Sequence, residues 1–243
     1  MKRLTTKLFT LGLTAVILTC GLTACKINKS VNINADVKVN GEEVFSTKIS
    51  TDSWEIPQIN KVTVDQKKYF EEAVGKLDGY FFEPVALLGT QIVSGTNYCF
   101  LCTPTITANN AMGSMVLTYV YVDLQGDSTY LKDDRLVLPG TEAASDDGTP
   151  MVGGWSYAES AAITDDVKNM VYKAAEAKGG DLYEPIAYVG SQIVSGTNHA
   201  ILCKTMPSAS GKDTKSSLVL VYVYEDLQGN CEITSAEDVK LEI

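Results

Sequence analysis

The sequence predicts an α+β chain in which one small unit is built twice. Three observations carry this. The heptapeptide Gln-Ile-Val-Ser-Gly-Thr-Asn occurs at residues 91–97 and 192–198, an offset of 192 − 91 = 101. Trp54 and Trp155, Glu83-Pro84 and Glu184-Pro185, and Cys102 and Cys203 keep that offset. Asp-Leu-Gln-Gly recurs from Asp123 and from Asp226 at an offset of 226 − 123 = 103, so two residues are added between Cys203 and Leu218. Finally, each copy places a helical pattern ahead of β-rich runs. A period of roughly 100 residues suits a small globular domain and is too long for a solenoid unit.

Each element has its own signal. In the second copy Ile163, Val167, Met170, Val171 and Ala174 share one helical face, with Asp165, Asp166, Lys168 and Asn169 elsewhere. Gly179-Gly180 ends that helix. The first copy has a weaker equivalent in Val62, Tyr69, Phe70 and Ala73, with Thr63 and Gln66 spaced as a capping box. After the helix, residues 186–194 run into the tight-turn signal Ser195-Gly196-Thr197-Asn198, and 200–203 continue as a strand. Residues 207–212 form a polar loop. Residues 218–224 are β-branched and aromatic; Leu227-Gln228-Gly229-Asn230 turns the chain and 231–234 return. One helix followed by a four-strand meander predicts a helix covering one face of an antiparallel sheet.

The N-terminus predicts export. Lys2, Arg3 and Lys7 precede an apolar run from Leu8 to Leu18, as in a secretory signal. That run is too short to span a bilayer comfortably. Leu22-Thr23-Ala24-Cys25 resembles the bacterial lipobox, whose cysteine is acylated and becomes the mature N-terminus. Ordinary cleavage near Ala24 with an unlipidated Cys25 is the alternative. Residues 1–24 are accordingly expected to be a lipoprotein signal, with Cys25 anchoring the chain to a membrane. Residues 25–50 then hold an alternating pattern broken by Asn40-Gly41, a hairpin or a stalk. Residues 51–138 and 151–243 are the two expected domains, and 139–150, with Pro139, Gly140, Gly148 and Pro150, the linker.

Composition narrows the function. Loss of Lys2, Arg3 and Lys7 takes the formal charge from −10 to about −13. An acidic chain without a basic stripe is a poor nucleic-acid binder. His199 is the single histidine, so no histidine-based zinc cluster exists, and neither a P-loop nor a dinucleotide fingerprint is present. A Cys–His nucleophile would need His199 with Cys99 or Cys231, whose flanks carry no protease signature. Catalysis and a cofactor are therefore not expected. Cys99 and Cys102, three apart, leave opposite faces of a strand and cannot bridge each other. A Cys203–Cys231 disulfide stays open in an exported chain.

The repeated residues carry a resemblance. Gln192, Ile193, Val194, Ser195 and Gly196, after an amphipathic helix and opening a strand hairpin, resemble the Gln-x-Val-x-Gly signature of the cystatins. Gly153 and Gly154 precede the helix where that family keeps a trunk glycine. Leu227, Gln228 and Gly229 fall at its second hairpin loop and are similar to the Leu-Pro-Gly of stefins. The first copy offers Gln91, Ile92, Val93, Ser94 and Gly95, then Leu124, Gln125 and Gly126, but Asp52 and Ser53 stand where the trunk glycines would be. The resemblance implies two cystatin-like domains, each one helix on an antiparallel sheet of four to five strands. It implies reversible inhibition of papain-like cysteine proteases by a wedge of trunk and two hairpins, with the first domain weaker. Glycine in trunk and loop is expected to let the wedge backbone approach the cleft wall. The alternative is a non-inhibitory adhesion or ligand-binding module of the same fold. The oligomeric state stays open.

Overall fold

The structure is a computed structural model that describes residues 32–39, 42–50, 53–105, 114–141, 153–179, 182–206 and 215–243. The α+β class is as expected. β1 (Asn32–Val39) and β2 (Glu42–Ser50) pair antiparallel, so the segment expected as hairpin or stalk is a hairpin. The first repeat comprises α1 (Val64–Val74), β3 (Phe82–Val93), β4 (Gly95–Pro104), β5 (Val116–Val122) and β6 (Ser128–Arg135). Its sheet runs in the order β3-β4-β5-β6. The second repeat comprises β7 (Trp155–Tyr157), α2 (Asp165–Lys178), β8 (Tyr183–Val194), β9 (Gly196–Thr205), β10 (Leu218–Glu225) and β11 (Cys231–Val239). Its five strands run β11-β10-β9-β8-β7, all antiparallel.

Local chemistry sets the boundaries. Thr63 and Gln66 form the capping box at the start of α1, each side chain bonding the other's backbone N–H. Thr164 caps α2, Asp165 and Asp166 occupy its first turn, and Lys178 its last, matching the helix dipole. Gly179 ends it in the left-handed conformation. Pro84 and Pro185 sit at register shifts of the β3–β4 and β8–β9 pairs, where a missing N–H breaks no regular ladder. The short β7 was not visible as a strand in the sequence. Its counterpart in the first repeat is a single bridge, Glu55 to Thr90, at the same offset.

In each repeat both faces of the sheet contribute to a buried core. Phe100 and Cys102 of β4 pack under α1 with Phe70 and Ala73. Ile201 and Cys203 of β9 pack under α2 with Val171, Ala174 and Ala175. The opposite faces meet each other: Leu88, Leu101, Leu117 and Tyr119 join Val189, Leu202, Leu220 and Tyr222 in one cluster. The layers therefore run helix, sheet, sheet, helix, and residues 31–243 form one compact unit. Cys99 lies in this shared cluster and Cys102 beneath α1, on opposite faces as their spacing requires. Cys99, Cys102, Cys203 and Cys231 are all free, so the Cys203–Cys231 bridge is not formed.

The seam between repeats is reciprocal. Leu138 of the first lies against Gly190 of the second, and Leu241 of the second against Gly89 of the first. A side chain at either glycine would collide with the opposing leucine. Trp54 meets Tyr119 edge-on at 5.6 Å, and Trp155 meets Tyr222 at 5.4 Å. Two features break the symmetry. The Tyr119 hydroxyl accepts a bond from the Glu242 N–H at 3.4 Å, whereas the buried Tyr222 hydroxyl has no partner among the described residues. The residue equivalent to Glu242 in the first repeat is Pro139, which has no N–H to give. Lys204, almost fully buried, pairs with Glu184 at 3.0 Å and reaches across to the Pro57 and Gln58 carbonyls. Its counterpart is Thr103. The expected linker is described only to Thr141, and the polar loop at 207–212 lies outside the described residues.

Candidate functional site

The residues singled out by the repeats gather at one end of each sheet. In the second repeat, Val194 opposes Gly196 across Ser195 at the β8–β9 tip. Beside it, β10 and β11 are joined through Asp226, Leu227, Gln228, Gly229 and Asn230. The Tyr224 hydroxyl donates to the Ser195 carbonyl at 2.9 Å, tying the two hairpins together. On the other flank, the Gln192 amide nitrogen donates to the Gly153 carbonyl at 2.7 Å. Gly153 and Gly154 thus stand beside the first hairpin, followed by β7 with Trp155 opposite Gln192. Gly153 has φ +78, and among the described residues no atom beyond its chain neighbours lies within 4 Å of where its Cβ would be.

The heptapeptide works as a brace. The Asn198 amide donates to the Gln192 carbonyl oxygen at 2.7 Å, and Asn97 to Gln91 at 2.8 Å. These two amides, six residues apart, clamp the base of each hairpin and leave the isoleucine and valine ahead of the turn to project. The expected reason for the loop glycine changes here. Gly196 is buried, with φ +142, and a Cβ there would stand 2.5 Å from the Glu225 carbonyl and 2.8 Å from the Tyr224 ring. Gly95 meets Val122 and Tyr121 in the same way. The motif glycine therefore faces its own sheet, not outward, because the hairpin lies directly on the neighbouring strand.

The second turn is organised by its aspartate. One Asp226 carboxylate oxygen accepts from the Gln228 and Asn230 backbone N–H groups, and the other from the Asn230 side chain at 2.7 Å. The bond from the Asn230 side chain, with those backbone bonds, holds the Asp226 carboxyl below the usual range. In the first repeat one Asp123 carboxylate oxygen accepts from the Gln125 and Asp127 backbone N–H groups. The turn so fixed presents leucine to solvent: Leu227 is 79 % exposed and Leu124 80 %. On the adjoining hairpins Ile193 is 76 % and Ile92 41 % exposed, with Val194 and Val93 also exposed.

The two edges differ beneath their tips. Under the first, Tyr69 and Tyr98 line a groove with Ile92, Val93, Val122 and Leu124. Under the second, Met170 and His199 take the places of the two tyrosines. His199 Nδ1 bonds the Tyr188 hydroxyl at 2.8 Å, and Nε2 stands 3.4 Å from the Glu225 carboxylate. Burial pushes the His199 pKa down, against the opposing pull of Glu225. No cysteine is among these contacts: Cys99 belongs to the shared cluster, and burial pushes its thiol pKa well up.

Gly153, Gly154, Gln192, Ile193, Val194, Ser195, Gly196, Leu227, Gln228 and Gly229 are brought together. Gln91, Ile92, Val93, Ser94, Gly95, Leu124, Gln125 and Gly126 form the matching set in the first repeat. Asp52 and Cys25 lie outside the described residues. Sequence reasoning missed the bracing residues Tyr121, Tyr224, Asn97 and Asn198, although each pair recurs at the repeat offset. No protein-family model and no curated protein matches the chain significantly.

Proposed function

We propose that the chain is a reversible inhibitor of papain-like cysteine proteases, built from two cystatin-like repeats and using the hairpin edges as wedges. One observation carries the reading: Gly153, the 192–196 hairpin and the 227–229 turn stand side by side, braced from behind, with apolar tips exposed. Edge strand, helix and four-strand meander, in the sheet order β7 to β11, support a cystatin-like reading of the second repeat. Apolar groups on so well braced a frame lose little entropy on docking, which favours binding. In this reading the wedge docks without a covalent bond to the protease, so its binding is reversible.

The test uses exposed tips, since Gly196 is internal and its substitution would disturb the hairpin. Papain activity is titrated with the chain from Lys26 onward, and with Val194→Asp and Leu227→Asp. The expected result is inhibition by the wild type, weakened about 30-fold or more by either change if these are anchor residues. Wild type without effect on papain and related proteases would sink the reading. The inward packing of Gly95 and Gly196 favours the second reading in that event, a non-inhibitory binding module whose motif persists for the hairpin's own sake.

We further propose that acylated Cys25, following the signal at 1–24, holds the chain on a membrane. Labelling cells with a palmitate analogue marks the wild type and not Cys25→Ala; equal labelling of both rejects the anchor.

A further inference from the structure

We infer that the chain binds two protease molecules at once, one on each hairpin edge. This rests on the wedge reading above and adds stoichiometry to it. The two hairpins of each edge carry the same braces. Tyr121 holds the Ser94 carbonyl at 2.8 Å as Tyr224 holds that of Ser195 at 2.9 Å. Asp123 and Asp226 shape the two leucine-tipped turns, and both leucines are about equally exposed. Each edge therefore presents apolar area without first having to order itself.

Neither edge occludes the other. Beside Trp155, Asn198 and Tyr222 the other repeat contributes Pro139, from beyond the end of β6. Beside Trp54 and Gly89 it contributes Leu241, from beyond the end of β11. What neighbours each edge is thus the far end of the other repeat's last strand. The hairpin tips of both repeats stay exposed within a single compact unit. The shared cluster between the sheets fixes this separation, so occupying one edge removes no contact from the other.

The edges are unequal at their tips. Ile92 is drawn toward the groove with Tyr69 and Tyr98, whereas Ile193 projects freely. The second-repeat edge fills first and the first-repeat edge fills at higher protease concentration.

The test is a titration of papain, its catalytic cysteine blocked by carboxymethylation, into the chain from Lys26 onward, read by calorimetry and native mass spectrometry. Two papain molecules per chain are expected. Val194→Asp with Leu227→Asp should leave one, Val93→Asp with Leu124→Asp should leave one, and the four together none. Saturation at one papain per chain, with inhibition intact, overturns this inference and leaves the wedge standing. Two papains that survive the four substitutions overturn the assignment to the edges. Absence of both binding and inhibition overturns the wedge, and this inference with it.

Discussion

Tyr119 and Tyr222 are the same residue of the repeat in the same buried setting, yet only one has work for its hydroxyl. Tyr119 accepts from Glu242, while Pro139 leaves Tyr222 without a donor. Tyr119→Phe should cost about 1 kcal/mol, and Tyr222→Phe should be neutral or stabilising, because it removes an unsatisfied buried group. Urea denaturation of the two variants checks this; equal losses would contradict it. The asymmetry could be read from the sequence only after the register was known. Nothing in Pro139 itself announces that a tyrosine over 80 residues away depends on it.

At the scale of elements, the Asp-Leu-Gln-Gly turn is a device for holding a leucine in water. The Asp226 carboxylate bonds Gln228 and Asn230, both in its own turn, so its effect belongs to the turn's geometry more than to global stability. Asp226→Ala should leave the thermal midpoint nearly unchanged and weaken papain inhibition by about three- to tenfold, through lost preorganisation. The pH dependence has a definite sign. A carboxyl whose folded pKa is depressed supports the fold above its unfolded pKa and loses that support as pH falls through the lower, folded value. The turn should therefore hold from neutrality to below the ordinary carboxylate range, checked by the amide chemical shifts of Gln228 and Asn230 across an acid titration. The helices, the meander and the tight hairpins were legible in the sequence because periodicity and turn residues are local signals. β7 was not: three residues, Trp155 to Tyr157, are too few to show alternation. The inward packing of the loop glycine was hidden for a different reason, since a sequence does not say toward which side a missing Cβ would have pointed.

For the whole molecule, duplication suggested two domains on a linker, and the interior crosses between the repeats. The signal was present in β5, where Val116 to Val120 are all buried; a near-continuous apolar run, interrupted only by Thr118, means that both sheet faces are covered. A helix covers only one. Leu138→Ala empties a fully buried site at the seam and should cost about 2–5 kcal/mol. Because the cluster is shared, that loss should appear in both halves together. Trp54→Phe and Trp155→Phe leave one tryptophan each, in the second and first repeat respectively, as local reporters. Both should report one coincident transition, shifted equally by Leu138→Ala; separate midpoints would mean that the repeats unfold apart.

The glycine–leucine seam also bears on how the two copies can diverge. At Gly89 an added Cβ would meet mainly the tip of Leu241, with the Trp54 ring at 3.1 Å. A shorter residue at 241 could therefore compensate alanine at 89. At Gly190 the obstacle includes the Ser156 carbonyl of the neighbouring edge strand, which no change at Leu138 removes. Among homologous chains, positions 89 and 241 should thus covary as residues of two different subunits do, while 190 stays glycine. Only one side of the duplication is free to drift.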